Sequence, residues 1–431
     1  MELNDLILIS TDDHIIEPPD VFKNHIASRW QESAPHMVRR ADGSDVWLYE
    51  GVELTTLALN AVAGWPVDEW GIEPASLSQL REGTYDVASR VMDMNANGVL
   101  ASMGFPTFPQ FCGQVFLRSK DKELGLATVR AYNDWHIEEW CGYAPERFIP
   151  LGLLPLWDPE LMAAEVRRLD KLGCHAVTFS ENPVQLGLPS LHSTHWDPFW
   201  RACDEVGTII CMHLGSSSTM MTTSPDAPIN VMMTLAPVNL ISAATDLIYS
   251  PVLRNYSNLK VALSEGGVGW IPFFLERIDY EYRTHRAWTH MDFGSRLPSE
   301  IFRERVITCF INDPHGVAER ETIGIDNMTW ECDYPHSDST WPRSPETVHE
   351  QFAGVSDEDT AKITHQNAMN HWRFDPFALR PREKCTVGAL RAESADWNIE
   401  PVSRRGSDWH SDEAVTTGAL LGGLQLGGQQ A

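Results

Sequence analysis

At five places in this 431-residue sequence a carboxylate or imidazole stands directly after a short apolar run: Asp12-Asp13-His14, His213, Glu265, Asn312-Asp313 and Asp333, with His336 three residues further on. These side chains are the nitrogen and oxygen donors that hold a divalent transition metal, and they are also the usual general acids and bases. A single Asp or His at the end of a strand commonly caps a helix or fixes a loop. Several of them form a site only if the fold brings those strand ends together.

The apolar runs cover 6–9, 99–105, 148–154, 176–179, 208–212, 259–263, 306–311 and 327–332. Between them lie segments of helical periodicity, among them 159–172, 196–206, 270–286 and 345–352. Continuous apolar strands alternating with amphipathic helices predict a parallel sheet covered on both faces, and eight such units predict closure into a (β/α)8 TIM barrel. In that architecture the C-terminal strand ends share one rim, where the active site lies. Alternation along strand one puts Asp12 and His14 on the same side and Asp13 on the other. The predicted metal shell is therefore Asp12, His14, His213 and Asp333, with positions left for water or substrate. His175, His195, His285 and His290 have no such placement and are read as structural.

The barrel is expected over 1–375. Its stretch 16–90 is too long for a connection and reads as an insertion over the barrel mouth, where Trp65 and Trp70, with Trp341 from a later loop, are candidates to line an apolar pocket. Residues 376–431, ending in a Gly-, Leu- and Gln-rich run, read as a C-terminal extension, partly disordered. With 33 Lys+Arg against 60 Asp+Glu, the net charge of −27 argues against nucleic-acid and anionic-membrane partners. No run reaches the ~18 apolar residues of a membrane span, and the N-terminus does not resemble a signal peptide. Eight scattered cysteines without a Cys-x-x-Cys pair read as reduced thiols, so a cytoplasmic location is expected. The expected partners are a small-molecule substrate and, as for most such barrels, a second copy in a homodimer.

Four stretches carry a resemblance: Asp12-Asp-His-Ile-Ile-Glu-Pro-Pro-Asp-Val-Phe22, His213-Leu-Gly, Leu263-Ser-Glu-Gly-Gly-Val-Gly-Trp-Ile-Pro272 and Trp330-Glu-Cys-Asp-Tyr-Pro-His-Ser-Asp-Ser-Thr-Trp-Pro342. Over 6–374 the chain resembles the amidohydrolase-related family, which includes aminocarboxymuconate-semialdehyde decarboxylase, resorcylate-type decarboxylases and assorted hydrolases. The resemblance implies an α/β barrel with one catalytic divalent metal held by Asp12, His14, His213 and Asp333. Zinc is expected, with manganese or iron as alternatives. Two positions depart from the family pattern: Asp12 stands where His or Glu is common, and Glu265 stands where many members carry an acid/base histidine. No lysine ends strand four, so a dinuclear site bridged by a carbamylated lysine is not expected.

Three functions follow as expectations. The first is hydrolysis of an amide, lactone or related bond by metal-activated water, with Asp333 orienting and deprotonating that water and Glu265 or His336 supplying the leaving-group proton. The alternative is nonoxidative decarboxylation of an aromatic or unsaturated carboxylic acid on the same metal. A non-catalytic binding barrel is the third.

Overall fold

Runs of Val, Ile and Leu that are apolar on both faces require cover on both faces, and they become the strands of a barrel. The computed structural model describes residues 1–55, 57–71, 74–404 and 415–418. Its barrel strands are β1 (Ile9–Ile15), β2 (Ala101–Pro106), β3 (Phe148–Ile149), β4 (Ala176–Ser180), β5 (Ile209–His213), β6 (Val261–Ser264), β7 (Val306–Phe310) and β8 (Met328–Trp330). All the pairings are parallel: β1 with β2, β2 with β3, and β4 through β8 in sequence. A parallel bridge between Gly152 and Val177 continues β3 onto β4. On the other side, Asp333 N–H donates to Asp12 O (3.0 Å) and His14 N–H to Tyr334 O (2.7 Å), so the chain leaving β8 lies beside β1.

One strand lies further along than its apolar run suggested. β1 runs over Ile9–Ile15 rather than 6–9, so Asp12 and His14 stand inside the strand and not after it. The register between Ser10 and Asp13 is irregular, and the side chain of Asp13 turns away to Ser10 Oγ (2.9 Å) and to the Tyr334 N–H (3.1 Å).

Helices cover the strands: α1 (Val87–Asn97), α2 (Lys122–Trp135), α3 (Pro159–Lys171), α4 (Asp197–Val206), α5 (Ile229–Tyr249) and α6 (Ile271–Thr289), followed by shorter ones. Local chemistry sets their starts. Asp86, Asp121 and Asp158 accept the first free N–H groups of α1, α2 and α3, and Pro159 opens α3 where no N–H is needed. By length and composition α5 is apolar enough to cross a membrane. It stands between β5 and β6, however, and buries Leu240, Ala243, Ala244, Leu247 and Ile248 in the core.

The insertion contains a three-stranded antiparallel sheet, His36–Arg39, Asp45–Tyr49 and Val52–Leu54. Asp42 shapes its first turn by accepting from the Ser44 N–H, and Gly43 takes the left-handed backbone there (φ 86°). Trp47 stacks on Phe108 at 4.4 Å, which fixes the insertion to the loop after β2.

Within the C-terminal extension, helix Val387–Glu393 packs on α1, and residues 394–404 cross the insertion. Residues 405–414 and 419–431, where most of the expected disorder falls, lie outside the described residues. Buried Asp93 of α1 gathers the crossing together. It accepts from Arg81 Nε (2.8 Å) and Nη2 (2.6 Å), from the Tyr334 hydroxyl (2.6 Å) and from Trp397 Nε1 (2.6 Å). Asp93→Ala leaves the largely buried Arg81 guanidinium without its carboxylate, and the expected loss is about 3–5 kcal/mol of unfolding free energy. Urea denaturation checks this; a loss below about 1 kcal/mol would show that the pair is dispensable.

Two buried imidazoles set the acid limit. His136 and His365 are each 1% exposed, and burial lowers both to a pKa of about 4. A depressed histidine stays neutral in the folded chain, so its contribution is complete above pH ~6.5 and is lost as the pH falls toward ~4. Each should remove about 2 kcal/mol by pH 5. Equal urea midpoints at pH 7.5 and 5 would contradict this.

Candidate metal centre

β1, β5 and the segment after β8 deliver their polar residues to two adjoining groups that share His14: Asp12, His14 and His213 in one, His14, Asp333 and His336 in the other. Asp12, His14, His213 and Asp333 are all 0% exposed, so every lone pair they carry has been taken out of water. His14 Nε2 lies 3.2 Å from Asp333 Oδ1, 3.6 Å from Asp12 Oδ1 and 3.3 Å from His213 Nε2. His213 Nε2 lies 3.4 Å from Asp12 Oδ2 and 3.2 Å from Glu265 Oε2. Donors about 2.0–2.2 Å from a shared centre in a tetrahedron stand roughly 3.3–3.6 Å apart, which the separations among Asp12, His14 and His213 match, while Asp333 reaches this group through His14.

The hydrogen bonding points the same way. His213 donates from Nδ1 to the Leu214 carbonyl, which leaves Nε2 as a bare lone pair aimed inward. Both oxygens of Asp12 and both of Asp333 are buried without a hydrogen-bond partner. Burial lifts the Asp12 carboxyl well above its usual range, helped by Asp333, and pushes the His14 imidazole well below its own, helped by His336. Burial alone would also raise Asp333; the imidazoles of His336 and His14 reverse this and hold it low. The set is short of positive charge, and a divalent cation supplies what the buried oxygens and nitrogens lack.

Around this centre, Glu265 follows β6 with its side chain 22% exposed, and burial together with Asp333 raises its carboxyl well above the ordinary range. His336 Nδ1 lies 3.0 Å from Asp333 Oδ1, with its ring 4.0 Å from that of His14. Glu265 and Asp333 both take left-handed backbone, φ 64° and 59°, which turns their carboxyls inward off the strand direction.

The structure thus places Asp12, His14 and His213 in one group, Asp333 and His336 in an adjoining one through His14, and Glu265 against His213. Asp313 serves a different purpose: it caps the helix Pro314–Ala318 and accepts the N–H groups of Val268 and Gly269. His175 pairs with Asp170, and His285 with Glu281. Trp65 and Trp70 donate to carbonyls inside the insertion, and Trp341 lies under the Arg81 guanidinium at 4.7 Å. The rings against the imidazoles are instead Phe111, stacked on His213 at 4.1 Å, and Phe105, 4.7 Å from it. Sequence reasoning also passed over Cys309 and Glu331, which meet Asp12 on its other side.

Residues 47–374 match the amidohydrolase family. The chain is 27% identical over 211 residues to the 2-amino-3-carboxymuconate-6-semialdehyde decarboxylase of Dictyostelium discoideum, a match covering 47% of this chain and 54% of that protein. It thus spans about half the length of that relative. Over 284 residues it is 22% identical to the gamma-resorcylate decarboxylase of Rhizobium sp. (strain MTP-10005), covering 59% and 79% of the two chains. A solved 5-carboxyvanillate decarboxylase from Novosphingobium aromaticivorans, complexed with manganese and 4-hydroxy-3-methoxy-5-nitrobenzoic acid, shares the fold at a TM-score of 0.59 and 17% identity, over 86% of this chain and 99% of that one. With three quarters of its length matched and its polar strand ends gathered at the rim of a barrel, the chain belongs to the amidohydrolase family.

Proposed function

We propose that this protein is a metal-dependent nonoxidative decarboxylase of an aromatic or unsaturated carboxylic acid, and that Asp12, His14, His213 and Asp333 hold its cation. The observation that carries the reading is that both curated relatives are decarboxylases. It places decarboxylation ahead of hydrolysis by metal-activated water, the first expectation from the sequence. Manganese, already an alternative to zinc for a two-nitrogen, two-oxygen donor set, is the metal bound in the solved neighbour.

When bound, the cation supplies a fixed positive charge that holds the substrate carboxylate and a neighbouring hydroxyl or keto oxygen. The chain's own residues do the rest. Phe111, half-buried and stacked on His213, offers aromatic surface suited to a flat substrate body. Loss of CO2 leaves an electron pair on carbon, and a protein acid must protonate it. Glu265 has the place for that role: its carboxyl lies 3.2 Å from His213 Nε2, and its environment favours the proton-bearing form. His336, against Asp333, orients that carboxylate and is the second proton carrier at the centre.

The test is a panel of ortho-hydroxybenzoic acids and unsaturated amino acids, assayed for CO2 with zinc, with manganese and with chelator. Metal-dependent CO2 release without solvent oxygen entering the product supports decarboxylation. Turnover confined to amides or lactones, with solvent oxygen in the product, overturns it in favour of hydrolysis.

A further inference from the structure

Asp12 belongs to two clusters, and only one of them is used above. Its carboxylate also lies in a compact group with the Cys309 sulfur of β7 and the Glu331 carboxylate that follows β8, with one donor atom from each residue within 4.8 Å of the others. Asp12 and Glu331 are 0% exposed and Cys309 is 4% exposed.

Several observations distinguish this group from an ordinary cluster of acids. Glu331 Oε1 is buried without a hydrogen-bond partner, and so is each oxygen of Asp12. The other Glu331 oxygen accepts from the Cys309 thiol and, at 3.3 Å, from the Glu265 N–H. No lysine or arginine pairs with Asp12 or Glu331 among the described residues; the nearby guanidinium of Arg90 is turned to Asp13. A buried carboxylate with an unmet lone pair is costly unless a proton or a cation takes it up; burial pushes both Asp12 and Glu331 toward the protonated form, and a cation would take the proton's place. Two such carboxylates and a sulfur facing one another form a donor set. With a zinc–sulfur distance of about 2.3 Å and zinc–oxygen distances of about 2.0–2.2 Å, three ligands stand roughly 3.3–3.8 Å apart, so on loading Glu331 must give up its contact with the Cys309 thiol and present its free Oε1.

We propose that Asp12, Cys309 and Glu331 form a second cation site, sharing Asp12 with the first, so that the loaded protein carries two adjacent metal ions. The proposal rests on the reading of Asp12 as a ligand of the first centre. On binding, Cys309 loses its thiol proton to solvent and the sulfur donates an electron pair; Glu331 and Asp12 donate as carboxylates, and nothing is oxidised. A thiolate among the donors selects a borderline cation such as zinc or cobalt over manganese or magnesium, which prefer all-oxygen surroundings. The bridging group is Asp12, so no modified lysine is required.

The experiment loads the full-length chain with zinc, with cobalt(II) or with manganese, removes free metal, and measures metal per chain and the near-ultraviolet spectrum. The expected result is about two equivalents of zinc or cobalt but one of manganese, with a thiolate-to-cobalt charge-transfer band. Cys309→Ser and Glu331→Gln should each hold about one equivalent, and Cys309→Ser should lose the band. One zinc per wild-type chain with no thiolate band overturns the second site and leaves the first standing. A thiolate band that persists when His213→Ala has no effect on stoichiometry keeps the second site and sinks the first. The wild-type spectrum decides the matter even if a variant fails to fold.

Discussion

His213→Ala is expected to leave the chain folded and without its catalytic cation. The ring stacks on Phe111, with Nδ1 tied to the Leu214 carbonyl and Nε2 turned to Asp12, His14 and Glu265. Losing a partner that merely orients a ligand costs about 10–100-fold in metal affinity, so losing the ligand itself should cost more. Metal at the four-donor centre should fall to under about a tenth of an equivalent. A cation of this kind is worth several kcal/mol to the reacting state, so turnover should drop by about 10³-fold or more. Metal analysis and steady-state rates on the same preparation check both statements, with an unfolding curve to show that the barrel survives. Full metal content together with full activity would mean that β5 contributes packing and not coordination.

Glu265→Gln should separate chemistry from binding. The substitution keeps the shape and removes the transferable proton, so metal content should stay unchanged while kcat falls by about 10²–10⁴-fold and KM moves little. The pH dependence follows from the direction of the shift. Burial raises the Glu265 carboxyl, so the proton-bearing form persists to higher pH than for an exposed glutamate. A donor works only while it holds its proton, so the wild-type rate should be present below that raised pKa and decline above it. Loss of that decline in the variant, together with the slow rate, identifies Glu265 as the acid. An unchanged kcat would transfer the role to His336.

The barrel and the clustering of its polar strand ends were legible because their signals are repetitive: apolar runs, helical spacing, and a polar residue where each run stops. The failures have physical causes. β1 was placed at 6–9 because Ser10-Thr11-Asp12-Asp13 reads as the end of an apolar run, yet all four side chains are buried, facing the centre or bonded to neighbouring strands. In β3 only Phe148–Ile149 pair as a strand, and Gly152 carries the connection to β4 by a single bridge, so an apolar run exaggerated its length. Glu331 went unnoticed because it lies past the end of β8, where Asp333 takes left-handed backbone and strand alternation no longer tells which way a side chain faces. Cys309 was hidden because a buried cysteine inside an apolar run is ordinary core. Phe111 lies on a loop, and no periodicity foretells where a loop residue will stack.

The left-handed backbone at Glu265 and Asp333 has a consequence for laboratory evolution. Each residue sits in a conformation that glycine or asparagine adopts more easily, and relief at such a position is worth about 1–3 kcal/mol. A screen for heat tolerance alone should therefore collect glycine or asparagine at 265 and 333, and every such winner gives up a carboxylate that the centre uses. If the proposed roles of these carboxylates hold, thermal and catalytic fitness pull in opposite directions at both positions, so libraries meant to toughen this protein should hold both codons fixed.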